Sequence, residues 1–181
     1  MCTGRRSPET TSTRRLTPTR NASGATDCES LGGGSVSVAE QDEGGYRNPA
    51  LTVDAVAVRT GEHGLEVLLI RRGEEPWKGC WAFPGGFVDY GENPEAAVVR
   101  ELAEECGIEG KVTGIISVRG EPERDPRGHI VTIFYAVEVA PESVPVAGDD
   151  AAHAEWIPLW DVEVDNMGAD HSEVIKLLRS R

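Results

Sequence analysis

The chain has 181 residues and a formal net charge of −13, from 18 basic and 31 acidic side chains, and 39% of its residues are hydrophobic. This length fits one domain with an appendage, and the apolar content is sufficient for a folded core. The acidic balance argues against nucleic acids and anionic membranes as partners, because both bind basic surfaces. A phosphorylated small molecule remains a possible ligand class, since a divalent cation can bridge phosphate to protein carboxylates.

Residues 1–45 differ in composition from the rest of the chain. Ser, Thr, Gly and Arg dominate this segment, and residues 32–35 (GGGS) have the composition of a flexible linker. The segment has few large aliphatic side chains, so it cannot bury enough apolar surface to offset the conformational entropy lost on ordering. We therefore predict a disordered tail over residues 1–45 and one folded domain over residues 46–181.

The sequence also predicts a cytoplasmic protein without a membrane partner. No apolar run approaches the roughly 18 residues that indicate a membrane span. The N-terminal residues lack the apolar region of a secretory signal.

The pattern after residue 46 predicts an α/β domain with helices outside the sheet. Alternating or continuous apolar runs predict strands at residues 51–58, 65–70, 81–83, 87–88, 111–118, 130–139 and 155–157. A turn is expected at residues 84–86 (PGG). Helices are expected at Pro94–Cys106 and at about residues 172–178.

The helix at Pro94–Cys106 has clear start and stop signals. Asn93 is a favourable N-cap, Pro94 has the backbone angle of a first helical position, and Gly107 can end the helix in a left-handed conformation. At about 100° per residue, an apolar face and an acidic face are predicted. The apolar face contains Val98, Val99, Leu102, Ala103 and Cys106, and the acidic face opposite contains Glu101, Glu104 and Glu105.

The acidic face is unfavourable for the isolated helix. Glu101 repels Glu104 and Glu105 at i,i+3 and i,i+4, and each such pair costs roughly 0.2–0.5 kcal/mol. The helix dipole also disfavours anions in the last turn. A charged helix face is ordinarily just solvated, but a bound hard dication would convert this repulsion into coordination. Arg100 can hold one of the carboxylates in place.

The same segment carries a recognisable motif. Gly86 is followed after five residues by Glu92, and after seven more by residues 100–108 (RELAEECGI). This arrangement resembles the Nudix box with every signature position filled. The resemblance implies an α/β/α sandwich with a mixed β-sheet and a catalytic loop–helix–loop. It also implies hydrolysis of a nucleoside diphosphate linked to another moiety, with Mg²⁺ or Mn²⁺ as cofactor.

The resemblance assigns roles to individual residues. Glu101 and Glu105 would be metal ligands, and Glu104 would be a ligand or the base that orients water. The carbonyl oxygen of Gly85 would be a further ligand. Arg100 and Glu92 would support the loop–helix–loop. Arg100 is also counted among the catalytic residues, whereas Glu92 is not.

Outside the box, the chain resembles the small ADP-ribose pyrophosphatases of this family. The similarity rests on residues 75–79 (EPWKG), 83–88 (FPGGFV), 124–129 (RDPRGH), 148–151 (GDDA) and 170–171 (DH). The implied reaction converts ADP-ribose and water to AMP and ribose 5-phosphate. Candidate substrate-binding residues are Arg71, Phe87, Asp125, Arg127 and His129, and Asp150 is a candidate accessory base.

Each of these flanking residues also has a simpler interpretation. Arg71 and Arg72 end a strand, where a guanidinium either meets phosphate or stays in solvent. Residues 124–129 form either a surface turn or a loop that contacts phosphate or ribose. Asp150 lies either in a solvated loop or at the site. Trp77 and Trp81 either stack on adenine or serve as rim and core aromatics.

Other functions remain open at this point. A hydrolase of oxidised nucleoside triphosphates shares the same box. A non-catalytic ADP-ribose sensor is a second alternative, which the intact carboxylate set and the negative charge oppose. An RNA substrate is not expected, because the sequence has no basic track. The resemblance also implies a homodimer, although no sequence feature marks an interface.

Overall fold

The computed structural model describes residues 47–62, 64–148 and 151–181. The predicted tail and the predicted domain boundary at residue 46 lie outside the described residues. Within the described ranges, no helix is both long and apolar enough to cross a membrane.

The described residues form seven strands and two α-helices. The strands are β1 (Ala50–Gly61), β2 (Gly64–Arg72), β3 (Trp81–Ala82), β4 (Gly85–Phe87), β5 (Gly110–Arg119), β6 (Ile130–Val139) and β7 (Ala151–Pro158). The helices are α1 (Pro94–Cys106) and α2 (His171–Arg179), and a short 3-10 helix spans Val164–Asn166. The predicted bounds of α1 and β6 are confirmed, and β7 is longer than predicted.

The strands form one mixed sheet with the order β3-β2-β1-β6-β5. β1 pairs in parallel with β6, from Ala50 opposite Ile130 to Ala57 opposite Val137. The other pairings are antiparallel, and β4 joins β1 while β7 joins β2. β1 therefore contacts three other strands and fixes the position of β4.

Helices cover both faces of the sheet. Alternate side chains of a strand point to opposite faces. Val53, Ala55 and Ala57 of β1 share a core cluster with α1, whereas Val56 shares the other cluster with Val174 of α2. The predicted α/β/α sandwich is confirmed.

The ends of α1 follow the local signals. The Asn93 side chain accepts a hydrogen bond from the backbone N–H of Glu95 at 2.8 Å. Gly107 has a left-handed φ of 64°, and its N–H donates to the carbonyl of Ala103. Capping of this kind fixes where the helix begins and ends, and so fixes which way its glutamates face.

The predicted division of α1 into two faces was partly wrong. Ala103 is exposed, while Glu105 is buried with 9% of its surface accessible. Glu105 follows Val98 by seven residues, which is nearly two full turns, so the two side chains lie on the same side of the helix. Glu105 therefore points toward the sheet rather than away from it.

The turn predicted at residues 84–86 was also partly wrong. Gly85 and Gly86 belong to β4, where they pair with Asp54 and Val53 of β1. Glycine makes this pairing possible, because a Cβ at Gly85 would collide with the backbone carbonyl of Val53.

Candidate active site

A cleft of about 400 Å³ lies where β4, α1 and the end of β2 meet. Its walls include Arg72, Gly85, Gly86, Phe87, Arg100, Glu101, Glu105 and Arg127. Of the predicted catalytic and metal-binding residues, Gly85, Arg100, Glu101 and Glu105 line this cleft, whereas Glu104 does not. Two of the predicted substrate-binding residues, Phe87 and Arg127, also line it.

The two glycines of β4 let the acidic helix lie against this strand. A Cβ at Gly86 would collide with the carboxylate of Glu101. At Gly85, an added Cβ would meet the backbone of β1 and the Asp54 side chain. The backbone of Gly85 and Gly86 consequently lies directly beside the glutamates of α1.

Glu105 connects α1 to this backbone. Its Oε2 accepts a hydrogen bond from the Gly85 N–H at 2.8 Å, and the residue is buried. A buried carboxylate on a backbone N–H has a fixed position. Burial, and then the charge of Glu105, raise the pKa of the neighbouring Asp54 well above its usual range.

Glu101 and Glu104 differ in their exposure. The Glu101 side chain is 14% exposed and accepts a hydrogen bond from Arg100 Nη1 at 2.8 Å. Burial raises the pKa of Glu101, and the bond from Arg100 opposes that effect. The Glu104 side chain is 52% exposed and receives a longer bond of 3.2 Å from the same nitrogen. Glu104 is therefore the carboxylate of the three with the most access to solvent.

Arg100 ties the helix to the loops around it. Its Nε and Nη2 each donate to Glu92 at 2.9 Å, and Nη2 also donates to the carbonyl of Phe87 at 3.1 Å. The hydrogen bonds from Arg100 are the main reason that the pKa of Glu92 falls to about 2. Arg100 thus holds the segment before α1 against the helix.

The oxygen donors beside Gly85 suit a hard divalent cation. No group of three acidic, histidine or cysteine side chains in the described part of the chain is already arranged as a metal site. Glu101, Glu105 and the Gly85 carbonyl nevertheless supply the ligand type that Mg²⁺ and Mn²⁺ prefer. Each carboxylate has about four acceptor positions, so its present hydrogen bonds leave room for a cation. The residues fit such a cofactor.

Arg127 lies in the cleft and is held by Asp125. The guanidinium donates to Asp125 through Nε at 3.0 Å and Nη2 at 2.9 Å, and lies 5.3 Å from the ring centroid of Phe87. Burial raises the pKa of Asp125, but the hydrogen bonds from the Arg127 side chain and backbone together outweigh it, so the pKa lies below its usual value. Asp125 thus orients Arg127 at the edge of the cleft.

Three predicted substrate-binding residues do not line the cleft, and one of them, Asp125, holds Arg127 from beside it. Arg71 donates to the carbonyl of Gly79 at 2.7 Å, and its guanidinium lies 4.1 Å from the ring centroid of Trp81. His129 bonds to the carbonyl of Gly120 at 3.0 Å and borders a separate pocket near residues 47–50. Asp150 lies outside the described residues.

Arg72 occupies the position predicted for Arg71. It lines the cleft, and its Nε donates to the carbonyl of Pro76 at 2.9 Å. Side chains alternate along β2, and Leu68 and Ile70 lie in the core cluster that contains α1. Arg72 has the same parity as Leu68 and Ile70, so this alternation could have identified it.

Comparisons with known proteins agree on one family. The NUDIX domain model matches residues 48–178. An ADP-ribose pyrophosphatase of Methanocaldococcus jannaschii is 42% identical over 131 residues, which cover 72% of this chain and 73% of that protein. The ADPR responsive transcriptional repressor NtrR of Acinetobacter baylyi is 30% identical over 141 residues, or 77% of this chain and 56% of the repressor.

A solved structure shows the same architecture. The NUDIX domain of Shewanella oneidensis NrtR, complexed with ADP ribose, superposes with a TM-score of 0.70 and 31% sequence identity. The superposition covers 78% of this chain and 93% of that domain.

Proposed function

The chain belongs to the Nudix family of hydrolases, and on that basis we propose that it hydrolyses ADP-ribose in a Mg²⁺-dependent reaction. Water adds across the phosphoric anhydride bond, giving AMP and ribose 5-phosphate. The observation that carries the proposal is the 42% identity to an ADP-ribose pyrophosphatase. The cleft formed by Gly85 and the glutamates of α1 supports it.

The acidic residues of α1 have distinct roles in this proposal. Glu101, Glu105 and the carbonyl of Gly85 would hold the cation, for which Mn²⁺ could substitute. When bound, the cation neutralises the pyrophosphate and lowers the pKa of a water molecule. Glu104, which is half exposed, is a further ligand or orients the attacking water. Arg100 keeps Glu101 and Glu104 in position.

Two arginines in the cleft suit the phosphates of the substrate. The hydrogen bond from Arg72 Nε to Pro76 fixes the guanidinium without using its terminal nitrogens. Burial, and then the nearby charge of Arg127, lower the pKa of Arg72. Two neighbouring guanidinium groups repel each other, so an anion that binds both is favoured. We propose that Arg72 and Arg127 bind the pyrophosphate.

Replacing Arg72 by alanine should therefore reduce kcat/KM for ADP-ribose by roughly 10- to 100-fold, the usual value of a hydrogen bond to a charged group. The matched control is Arg71→Ala on the same strand, which should stay within about threefold of the wild type because Arg71 lies outside the cleft. Steady-state kinetics on both variants check this. A larger loss in the Arg71 variant would contradict the assignment.

A substrate panel tests the proposed function. The full chain is incubated with Mg²⁺ and ADP-ribose, NADH, diadenosine polyphosphates, GDP-mannose or 8-oxo-dGTP, and the products are identified by chromatography. We expect ADP-ribose to be the preferred substrate and AMP to be released. Preference for 8-oxo-dGTP would be consistent with the proposed metal site but would contradict ADP-ribose as the substrate.

A second candidate function is binding of ADP-ribose without hydrolysis. The similarity to the NtrR repressor and to the ADP-ribose complex of NrtR favours it, although the chain spans only 56% of the former. Tight binding of ADP-ribose without product in the panel would support this candidate.

The proposal includes a cytoplasmic homodimer that acts on a small nucleotide rather than on a nucleic acid. The net charge of −13 supports the choice of substrate class, because a polyanion is repelled by an acidic surface. Light scattering of the full chain measures the oligomeric state.

A further inference from the structure

A pocket of about 280 Å³ lies at the start of β1, and we refer to it as the basic pocket. The polar side chains that line it belong to Arg47, Asn48, Arg127 and His129. Arg127 also lines the cleft, so the two cavities share its guanidinium as a common wall. A ligand group in the basic pocket would therefore lie next to the pyrophosphate that we assign to the cleft.

Backbone hydrogen bonds fix the walls of the basic pocket. The Ala50 N–H donates to the carbonyl of His129 at 3.1 Å, where the parallel pairing of β1 with β6 begins. The turn at residues 125–128 is closed by a bond of 3.1 Å from the Gly128 N–H to the carbonyl of Asp125. Gly128 has a φ of 145°, and a Cβ there would meet no atom within 4 Å. The wall at Gly128 is therefore bare backbone that faces open space.

The charge of the basic pocket is opposite to that of the protein as a whole. The chain has 31 acidic and 18 basic side chains, yet no acidic side chain of the described residues lines this pocket. Arg127 is paired with Asp125, but Arg47 forms no hydrogen bond or ion pair with any other described residue. A cavity lined by one sign of charge concentrates ligands of the opposite sign. The basic pocket thus favours an anion.

The donors of the basic pocket suit a phosphate group. A guanidinium presents planar N–H pairs that match two phosphate oxygens, and Asn48 offers a neutral N–H donor. His129 is held at the wall by the bond of its Nε2 to the carbonyl of Gly120 at 3.0 Å. A phosphate monoester has three acceptor oxygens and a charge near −2, so it can engage several of these groups together. The volume is several times the roughly 30 Å³ of one water molecule, which leaves room for part of a sugar.

We propose that the basic pocket binds a phosphate monoester or a free phosphate ion beside the substrate. The position of the substrate pyrophosphate in this inference rests on the proposed function. A monoester is carried on the adenosine ribose in ADP-ribose 2′-phosphate and on the terminal ribose in ADP-ribose 1″-phosphate. Water would add across the same anhydride bond, so the 2′-phosphate would give adenosine 2′,5′-bisphosphate and ribose 5-phosphate.

The kinetic test compares ADP-ribose with its 2′-phosphate and its 1″-phosphate. The wild type should use one of the two phosphorylated substrates with about tenfold higher kcat/KM, through a lower KM, as expected for a hydrogen bond to a charged group. In Arg47→Ala this preference should fall to within about threefold. The ratio of two substrates is the readout, because a merely structural defect would lower both rates together. Without the basic pocket, a protein of net charge −13 should disfavour the more negative substrate.

Lys111→Ala is the matched control, because it also removes one positive charge from an exposed side chain. Lys111 pairs with Glu138 near the end of β6, whereas the basic pocket lies at the start of that strand. This variant should keep the substrate ratio of the wild type. An equal loss of preference in both variants would indicate a general effect of charge and would overturn the role of Arg47.

Binding of inorganic phosphate to the full chain, followed by ³¹P NMR, does not depend on activity. Arg47→Ala should weaken this binding about fivefold, the scale of an exposed ion pair, whereas Lys111→Ala should not change it. Arg47-dependent phosphate binding without a preference for either phosphorylated substrate would assign the basic pocket to free phosphate.

Two negative results have different meanings. If neither the substrate ratio nor phosphate binding depends on Arg47, the inference is overturned while ADP-ribose hydrolysis stands. Absence of ADP-ribose hydrolysis in the wild type would instead reject the proposed function, and Arg47-dependent phosphate binding would still support the basic pocket.

Discussion

Replacing Glu105 by glutamine is expected to lower kcat for ADP-ribose hydrolysis by about 100- to 1,000-fold, the scale of losing one preorganised electrostatic contact at a reacting centre. Glutamine has the same shape, and its amide oxygen can still accept the hydrogen bond from the Gly85 N–H. It lacks the negative charge that would bind a divalent cation. The variant therefore tests the effect of the negative charge on kcat while the position of the side chain is retained.

The same substitution elsewhere on α1 provides the control. Glu95 is exposed in the first turn of the helix, so Glu95→Gln should retain the kcat of the wild type. Circular dichroism and thermal unfolding establish that both variants fold. A folded Glu105→Gln variant with wild-type kcat would remove Glu105 from the proposed metal site.

The location of the acidic helix could be predicted because its signals are local. Asn93, Pro94 and Gly107 fix the ends of α1, and the spacing of the Nudix box fixes which residues face the cleft. The buried position of Glu105 was missed, although its separation from Val98 by nearly two turns contains the information. Helical periodicity is sufficient to place Glu105 on the buried side, but a division of α1 into only two faces is too coarse to show it.

The choice between Arg71 and Arg72 depends on the register of β2. Adjacent residues of a strand face opposite sides, so an error of one position exchanges the cleft for the opposite face. The pairing of β2 with β7 shifts between Arg71 and Arg72, but the skipped residue, Ala152, belongs to β7, so the alternation along β2 is intact at this end. The motif at residues 124–129 also has one predicted substrate-binding residue in the cleft, Arg127, and one outside it, His129.

The meeting of three distant segments beside the cleft could not be predicted from local sequence. Asp54 comes from β1, Arg124 from the loop before β6, and His171 from the start of α2. Only the packing of α2 against the sheet brings them together, and a motif scan has no access to that contact. Residues 170–171 resemble a subgroup of the family, but the sequence indicates no partner for His171.

Gly85→Ala is expected to damage both stability and activity. The added Cβ would meet the carbonyl of Val53 and the backbone of Asp54, neither of which can rotate away. β4 would have to separate from β1, and crowding of this kind typically costs about 1–3 kcal/mol of unfolding free energy. Displacing the Gly85 carbonyl by about 1 Å should reduce kcat about 100-fold, because catalytic geometry tolerates little error.

Urea unfolding and steady-state kinetics separate these two effects. Gly114→Ala on β5 is the control, since a Cβ there meets no atom within 4 Å and the unfolding free energy should change by less than about 0.5 kcal/mol. If Gly85→Ala unfolds at lower urea yet retains wild-type kcat while folded, the Gly85 carbonyl has no role in catalysis. If kcat falls in the folded variant and excess Mg²⁺ partly restores it, the defect lies in cation binding, as expected for a carbonyl ligand beside Glu101 and Glu105.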